Sequence, residues 1–288
     1  MAYLDHIRAC NNFDSKGYRS FEVENTQVGW IAEEFAARLA SWPEIFVHSE
    51  ASIALASHLK DFDSRSEAVL GPLQELLKGD YIEAWRGEFY PVTADWHADP
   101  VMQIERAACP YFGIRAYGVH LNGFVRKLDG LYMWVARRDP HKQTYPGLLD
   151  NMVAGGQPIG LGLKENMIKE CGEEAGVSPE LAATAVPAGL ISYTHLMPET
   201  PKGGVKPDQM FCFDLELPED FQPVPVDGEV ESFHLWPIEQ VVETVRDSFE
   251  FKFNCNLVII DFLIRHGIIE PDSEPDYAEL AHGLRSGS

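Results

Sequence analysis

Glu170, Glu173 and Glu174 stand at i, i+3 and i+4 in the run GLKENMIKECGEEAG, whose mix of apolar and polar spacing predicts a helix. On a helix those offsets gather the three side chains on one face. They fall in the last turns before Gly176, which has the position and identity of a C-terminal cap. Carboxylates placed there repel one another and face the negative end of the helix dipole, each effect costing about 0.3 to 1 kcal/mol. A bound divalent cation reverses the sign, because magnesium and calcium take hard oxygen ligands. The cluster therefore reads as a metal cradle, the plainer alternative being a solvated acidic helix end. Upstream, Gly155 and Gly156 follow the apolar NMVA, and a second glycine-rich stretch, PIGLG, leads into the helix. A backbone stripped of side chains can approach a metal or a phosphate closely.

Phosphates also need cations, and this chain is short of them: 23 Lys and Arg stand against 45 acidic residues, a net charge of −22. Arg137 and Arg138, just before the turn DPHKQTYPG, and Lys142 within it are the candidates, Arg137 and Lys142 foremost. Glu229 and Glu231 in VDGEVESFHLW are candidate proton acceptors from outside the helix, or else an acidic strand end. Trp134, Tyr145, Tyr193 and Phe211 offer aromatic surface, but aromatic residues in strand-like runs are more often core. His120 and His195, each alone at a strand position, read as hydrogen-bonded core residues. Trp85, Glu88 and Arg106 read as a recognition surface or as packing between modules.

The elements that must position these groups divide at about Phe112. Residues 1–112 read as a small α+β module, with helix spacing in EEFAARLASW and SEAVLGPLQELLKG and strand character in EIFVHS and AWRGEFYPV. Residues 113–270 carry a stronger pattern. The runs AYGVHLNGFV and LYMWVARR flank an Asp129-Gly130 hairpin signal, and AVPAGLISYTH and QMFCFDLEL read as further strands. The helix bearing the glutamates, WPIEQVVETV and CNLVIIDFLIRHG complete an α/β (α+β) unit, a mixed sheet packed between helices. The tail, residues 271–288, lacks apolar periodicity and is expected to be loose. The negative charge argues against nucleic acid as a partner. The five scattered cysteines include no Cys-x-x-Cys pair, and no run approaches the length of a membrane span, so a cytoplasmic protein with reduced thiols is expected.

GGQPIGLGLKENMIKECGEEAGV resembles the Nudix box: Gly, five residues, Glu, seven residues, Arg-Glu, an apolar residue, any residue, Glu-Glu, any residue, Gly and an apolar residue. Gly155 is the opening glycine, and Glu170, Glu173, Glu174, Gly176 and Val177 match, with Cys171 in the apolar slot. The resemblance implies a Nudix-type hydrolase of a small-molecule diphosphate, using Mg2+ or, in its place, Mn2+. It further implies Glu170, Glu174 and Glu173 as metal ligands, Glu173, Glu170, Glu174 and Lys169 as the catalytic set, and Gly155 and Gly156 beside the substrate. A homodimer is compatible with it. Two positions depart from the pattern: Leu161 stands where the first glutamate falls and Lys169 where the arginine falls, so their ion pair is lost, with Glu165 expected to pair with Lys169 instead. WRGEFYPV, IERAACPYFG, RAYGVHLNGFV and ARRDPHKQTYPGLLDNMVAGG resemble a Nudix subfamily with its own N-terminal domain, related to the Nudix part of fungal thiamine pyrophosphokinase. That resemblance implies thiamine diphosphate, and its oxidised or damaged analogues, as substrates. Alternatives are ADP-ribose or another nucleoside diphosphate derivative, and a catalytically silent Nudix fold that binds a ligand.

Overall fold

The computed structural model describes residues 2–197 and 204–287. Helix α1 (Tyr3–Cys10) comes first. A four-stranded sheet follows, of β1 (Tyr18–Val23), β2 (Thr26–Ala32), β3 (Phe46–His48) and β4 (Ser52–Leu55) in the order β2-β1-β4-β3. With it go α2 (Glu33–Leu39) and α3 (Phe62–Lys78). A two-stranded ribbon of β5 (Phe89–Val92) and β6 (Met102–Glu105) then leads through a tight turn at Arg106–Ala108 into the short α4 (Cys109–Phe112). An apolar cluster of its own holds this part together, with Phe21, Phe35, Phe46 and Phe112 wholly buried.

The larger sheet has the order β11-β12-β7-β8-β13, formed by β7 (Tyr117–Lys127), β8 (Gly130–Arg138), β11 (Val186–Leu196), β12 (Val205–Glu216) and β13 (Val230–Pro237). The short β9 (Leu149–Asp150) pairs with β8, and β10 (Val153–Gly156) with β7. All pairs are antiparallel except β12 with β7. The first nine residues of β7 are buried without a break, as a central strand covered on both faces must be. One cover is α5 (Leu163–Ala175) with α6 (Pro179–Ala182), whose Met167, Cys171 and Ala182 pack on Val119, Leu121 and Phe213. The other is α7 (Ile238–Asp247) and α8 (Phe253–Arg265), which pack on Phe124, Val135 and Cys212. The expected mixed α+β architecture, a sheet between helices, is present, and the Asp129-Gly130 hairpin joins β7 to β8 in the register Lys127 to Gly130.

Two expectations need correction. The tail is not loose: it forms α9 (Tyr277–Gly283), with Leu280 and Leu284 wholly buried. Its backbone also bonds β11, Ser192 N–H to Leu284 O at 3.0 Å and Gly287 N–H to Ser192 O at 3.1 Å, and Arg285 pairs with Asp261 of α8 at 2.6 Å. Two leucines in an acidic segment were too few to reveal a periodicity, yet with Tyr277 they are enough to seat one helix. The start of the chain likewise crosses from the module to the other side: α1 packs against α8, α9 and β11, burying Leu4 and Ile7 in the larger unit's core. Among the described residues no helix is long and apolar enough to cross a membrane, and all five cysteines are free and buried.

Candidate active site

Helix α5 ends as its sequence requires, with Gly176 in the left-handed conformation (φ +63°) and Val177 N–H turned back to Cys171 O at 3.1 Å. Its acidic face points at β10. Glu174 is buried, and one of its oxygens accepts the Ala154 N–H at 2.9 Å. Glu170 lies against Gly155, where a side chain would collide with it: a β-carbon would sit 2.7 Å from Oε1 and closer still to the carbon atoms. Gly155 is therefore required by packing as well as by access.

Burial pushes the Glu174 carboxyl well above the usual range, the charges of Asp150 and Glu170 adding to it against the Ala154 hydrogen bond. Burial also raises Glu170, partly countered by Lys169 and reinforced by Glu173 and Glu88. Two adjacent carboxyls that resist ionisation form an all-oxygen donor set that a hard dication would relieve. Glu173, half exposed, is free to turn toward it. The residues thus fit a divalent cation, with rearrangement, since the three glutamates do not bring one oxygen each within 4.8 Å of one another. Lys169 takes part of that role here, its ammonium lying 3.2 Å from Glu170 and 2.6 Å from Glu173. The expected pair with Glu165 does not form: Lys169 turns toward the end of the helix where the negative charge is concentrated.

The loop between β10 and α5 is braced by uncharged groups. Asn166, wholly buried on α5, donates to Gly156 O at 2.8 Å and to Gln157 Oε1 at 3.1 Å. Gln157 in turn donates to Leu161 O at 2.6 Å. Leu161 thus contributes through its backbone carbonyl, which no pattern of side chains could reveal.

A cavity of about 710 Å³ opens beside β10 and the Lys142 turn. One wall is the larger sheet, with Gly118, His120, Ala154, Gly155 and Gly156, joined by Asn254 of α8; the other comes from the N-terminal module, with Arg86, Tyr90 and Arg106. Among the described residues six cations line it, Arg86, Arg106, Arg138, Lys142, Lys206 and Lys252, against three acids, Glu83, Asp208 and Glu229. In a chain with a charge of −22, that local excess of positive charge favours an anion. Of the cations expected from sequence, Lys142 is in place, paired with Glu229 across the cavity edge. Burial raises the Glu229 carboxyl, but Lys142, Arg106 and Arg86 outweigh it and hold the group below its ordinary value. Arg137 is not on this wall: strand alternation turns it away, and it donates to Gly147 O at 2.8 Å. Arg138 takes the inward position but is engaged by Thr144 O, Tyr145 O and Asp150. Glu231 is exposed and off the cavity.

A buried polar network lies under the floor and includes His120, a hydrogen-bonded core residue as its position suggested. Asp150 accepts from Arg138 and from the Cys255 thiol, each at 2.7 Å. His120 lies 2.8 Å from Asn151 Oδ1 through Nδ1 and 3.4 Å from Asn254 Nδ2 through Nε2. Burial and Lys252 draw the imidazole down to about 4, so it is neutral. Burial would raise the Asp150 carboxyl, but Lys252 and Arg138 hold it well below the carboxylate range. His120, Asp150 and Cys255 each bring a possible ligand atom within 4.8 Å of the others. Two cations already serve that spot, so the trio is a brace rather than a metal centre.

Comparison with known proteins adds the following. The family described as Domain of unknown function (DUF4743) matches residues 2–116. Nudix hydrolase 24, chloroplastic, of Arabidopsis thaliana is 40% identical over an alignment of 289 residues, covering 99% of this chain and 78% of the relative. Nudix hydrolase 20, chloroplastic, of the same plant is 40% identical over 295, with the same coverage of 99% and 78%. The NUDIX domain of Shewanella oneidensis NrtR, solved with ADP ribose, is 14% identical, covers 54% of this chain and 90% of its own, and has a TM-score of 0.42.

Proposed function

The chain belongs to the Nudix hydrolase family, and from that premise we propose that it is a pyrophosphohydrolase that cleaves a diphosphate linkage to release a monophosphate. The observation that carries the reading is the packing of buried Glu174 and half-buried Glu170 behind Ala154 and Gly155, whose other side lines a cavity rich in cations. A divalent cation, Mg2+ with Mn2+ as a substitute, would be held by Glu170, Glu174 and Glu173 and would supply charge screening of the diphosphate and a more acidic water. The chain's own residues do the rest. Gly155 and Gly156 let the substrate backbone come close, Lys142 offers its ammonium to a phosphate once Glu229 yields it, and Glu173 accepts the proton, with Glu229 the candidate from outside the box. Lys169 holds Glu170 and Glu173 in place until the cation arrives.

For the organic part of the substrate we propose thiamine diphosphate or its oxidised or damaged analogues. Support comes from the cavity's aromatic lining, Tyr90, Tyr117, Tyr145 and Phe253, which suits a cationic heterocycle. A nucleoside diphosphate derivative such as ADP-ribose is the second reading, favoured by a volume well up the ordinary range for small-molecule sites. A silent fold is disfavoured by the Gln157–Asn166 brace, which supplies what Leu161 removed. The division of the chain near Phe112 belongs to the same proposal, supported by the family match to residues 2–116. So does a cytoplasmic location, supported by five free, buried thiols of the kind a reducing compartment maintains; the names of the two plant relatives call those proteins chloroplastic. The test is magnesium-dependent release of monophosphate from thiamine diphosphate, an oxidised analogue, ADP-ribose and a dinucleotide. Turnover of the thiamine compounds above the others supports the reading, a preference for ADP-ribose selects the second, and no turnover of any member overturns both.

A further inference from the structure

The N-terminal module does more than cover the site. Among the described residues its buried Glu105 pairs with no cation; instead its carboxylate accepts backbone N–H groups from Arg86 at 2.7 Å, Gly87 at 3.1 Å and Ala107 at 2.5 Å. One wholly buried acid thus ties together the two turns that carry Arg86 and Arg106, and both arginines line the cavity. Burying a carboxylate is costly unless its hydrogen bonds are met, so this arrangement fixes the two arginines deliberately in one place. Arg106 lies over the Tyr90 ring, 5.8 Å from its centre, and Tyr90 abuts Gly156 of the box loop. A second tie joins the module to that loop, Ile159 N–H to Phe89 O at 3.1 Å. Arg106 is paired with Glu88 at 2.8 Å, the same Glu88 whose charge reaches Glu170, and both arginines bear on Glu229, the partner of Lys142. The three cations therefore converge at the box end of the cavity.

We propose that Arg106 and Arg86 clamp the phosphates of the substrate together with Lys142, so that the N-terminal module forms half of the active site. The proposal rests on the pyrophosphohydrolase reading and adds the ligand contacts of the module to it. In the free protein Glu88 and Glu229 occupy these cations, and an entering diphosphate takes their place. Guanidinium groups suit that role because their paired donors match phosphate oxygens.

The test uses the full chain and inorganic pyrophosphate as the probe, with metal removed, measured by calorimetry. Arg106→Gln and Arg86→Gln are expected to weaken binding about tenfold or more each, with Arg106→Lys falling between wild type and Arg106→Gln. Arg137→Gln, which removes a cation outside the cavity, leaves binding within about twofold. For turnover, KM rises in the two Gln variants more than kcat falls. Arg86 is exposed and held only through its backbone, so its variant carries the test even where Arg106→Gln folds poorly. Pyrophosphate that binds wild type and both Gln variants equally, or that does not bind wild type at all, overturns the clamp. A wild type that loses pyrophosphate binding with these substitutions yet hydrolyses no diphosphate supports the clamp and overturns the hydrolase reading. Active enzyme whose KM is unchanged in both Gln variants does the reverse.

Discussion

Replacing Gly156 by alanine tests whether the module and the box loop are built as one unit. Gly156 lies in β10 paired with Gly118 and not among the positive-φ residues, so alanine meets no backbone penalty there. All of the cost comes from Tyr90: the new methyl would overlap its hydroxyl and lie 2.7 Å from Cζ. Tyr90 is itself buried, with its ring fixed under Arg106, so it cannot swing aside freely. Overpacking of this kind costs about 1 to 3 kcal/mol. Tyr90→Leu removes the colliding atoms at a cost of its own, about 2 kcal/mol for the lost ring packing. In the double variant the collision is gone, so the two costs fall short of adding by about 1 kcal/mol or more. Urea unfolding of the four proteins measures this, with equal m-values required for the comparison. Additivity within about 0.5 kcal/mol would show that Tyr90 and Gly156 are not in contact in solution and would refute the composite site.

Stability should also depend on pH through His120. Its folded value, about 4, lies below the unfolded 6.5, so the unfolded chain binds the extra proton. The contribution is full above pH 6.5, is lost as the pH falls toward 4 and is flat below that; at pH 5.5 the loss is on the order of 1 kcal/mol. The difference in unfolding free energy between wild type and His120→Gln, followed from pH 7.5 to 5.5, isolates it, and parallel curves would contradict it. Asn166→Ala removes the donor to Gly156 O and Gln157 Oε1 and should cost about 1 to 3 kcal/mol, while lowering turnover by loosening the box loop. Unchanged turnover in that variant would deny the brace its role. Glu229→Gln should tighten metal-free pyrophosphate binding by about threefold to tenfold, because Lys142 loses a competing carboxylate. Weaker binding in the variant would place Glu229 on the ligand side instead.

What was legible in the sequence was what local pattern encodes. The i, i+3, i+4 glutamates, the Gly176 cap, the Asp129-Gly130 hairpin and the alternation of strand and helix all depend on neighbours a few residues apart, and the structure places each as the spacing requires. Lys142 was legible for the same reason, being a lone cation on the turn before the glycines. Arg137 was misplaced because a one-residue step along β8 exchanges the faces of the sheet, and composition cannot say which of Arg137 and Arg138 faces inward. Arg86, Tyr90, Lys206 and Lys252 entered the cavity lining through tertiary packing, from segments far apart in the chain, whereas Arg106 was singled out as a recognition or packing residue. Nor could the sequence distinguish Glu105 from any other acid; only its burial and three backbone donors do. The brace of Gln157 and Asn166 was hidden because two ordinary amides replaced a charged pair.

Glu174 is the residue on which catalysis at the acidic face of α5 most directly depends. Monophosphate release with magnesium from whichever compound of the panel wild type turns over best should be measured side by side with Glu174→Gln, which keeps the shape of the side chain and removes its charge. A fall in kcat of about a hundredfold or more, with metal-free pyrophosphate binding and the unfolding midpoint retained, is the predicted result. Turnover in the variant within a few-fold of wild type would contradict the account, because the acidic face of α5 would then not be where the reaction takes place.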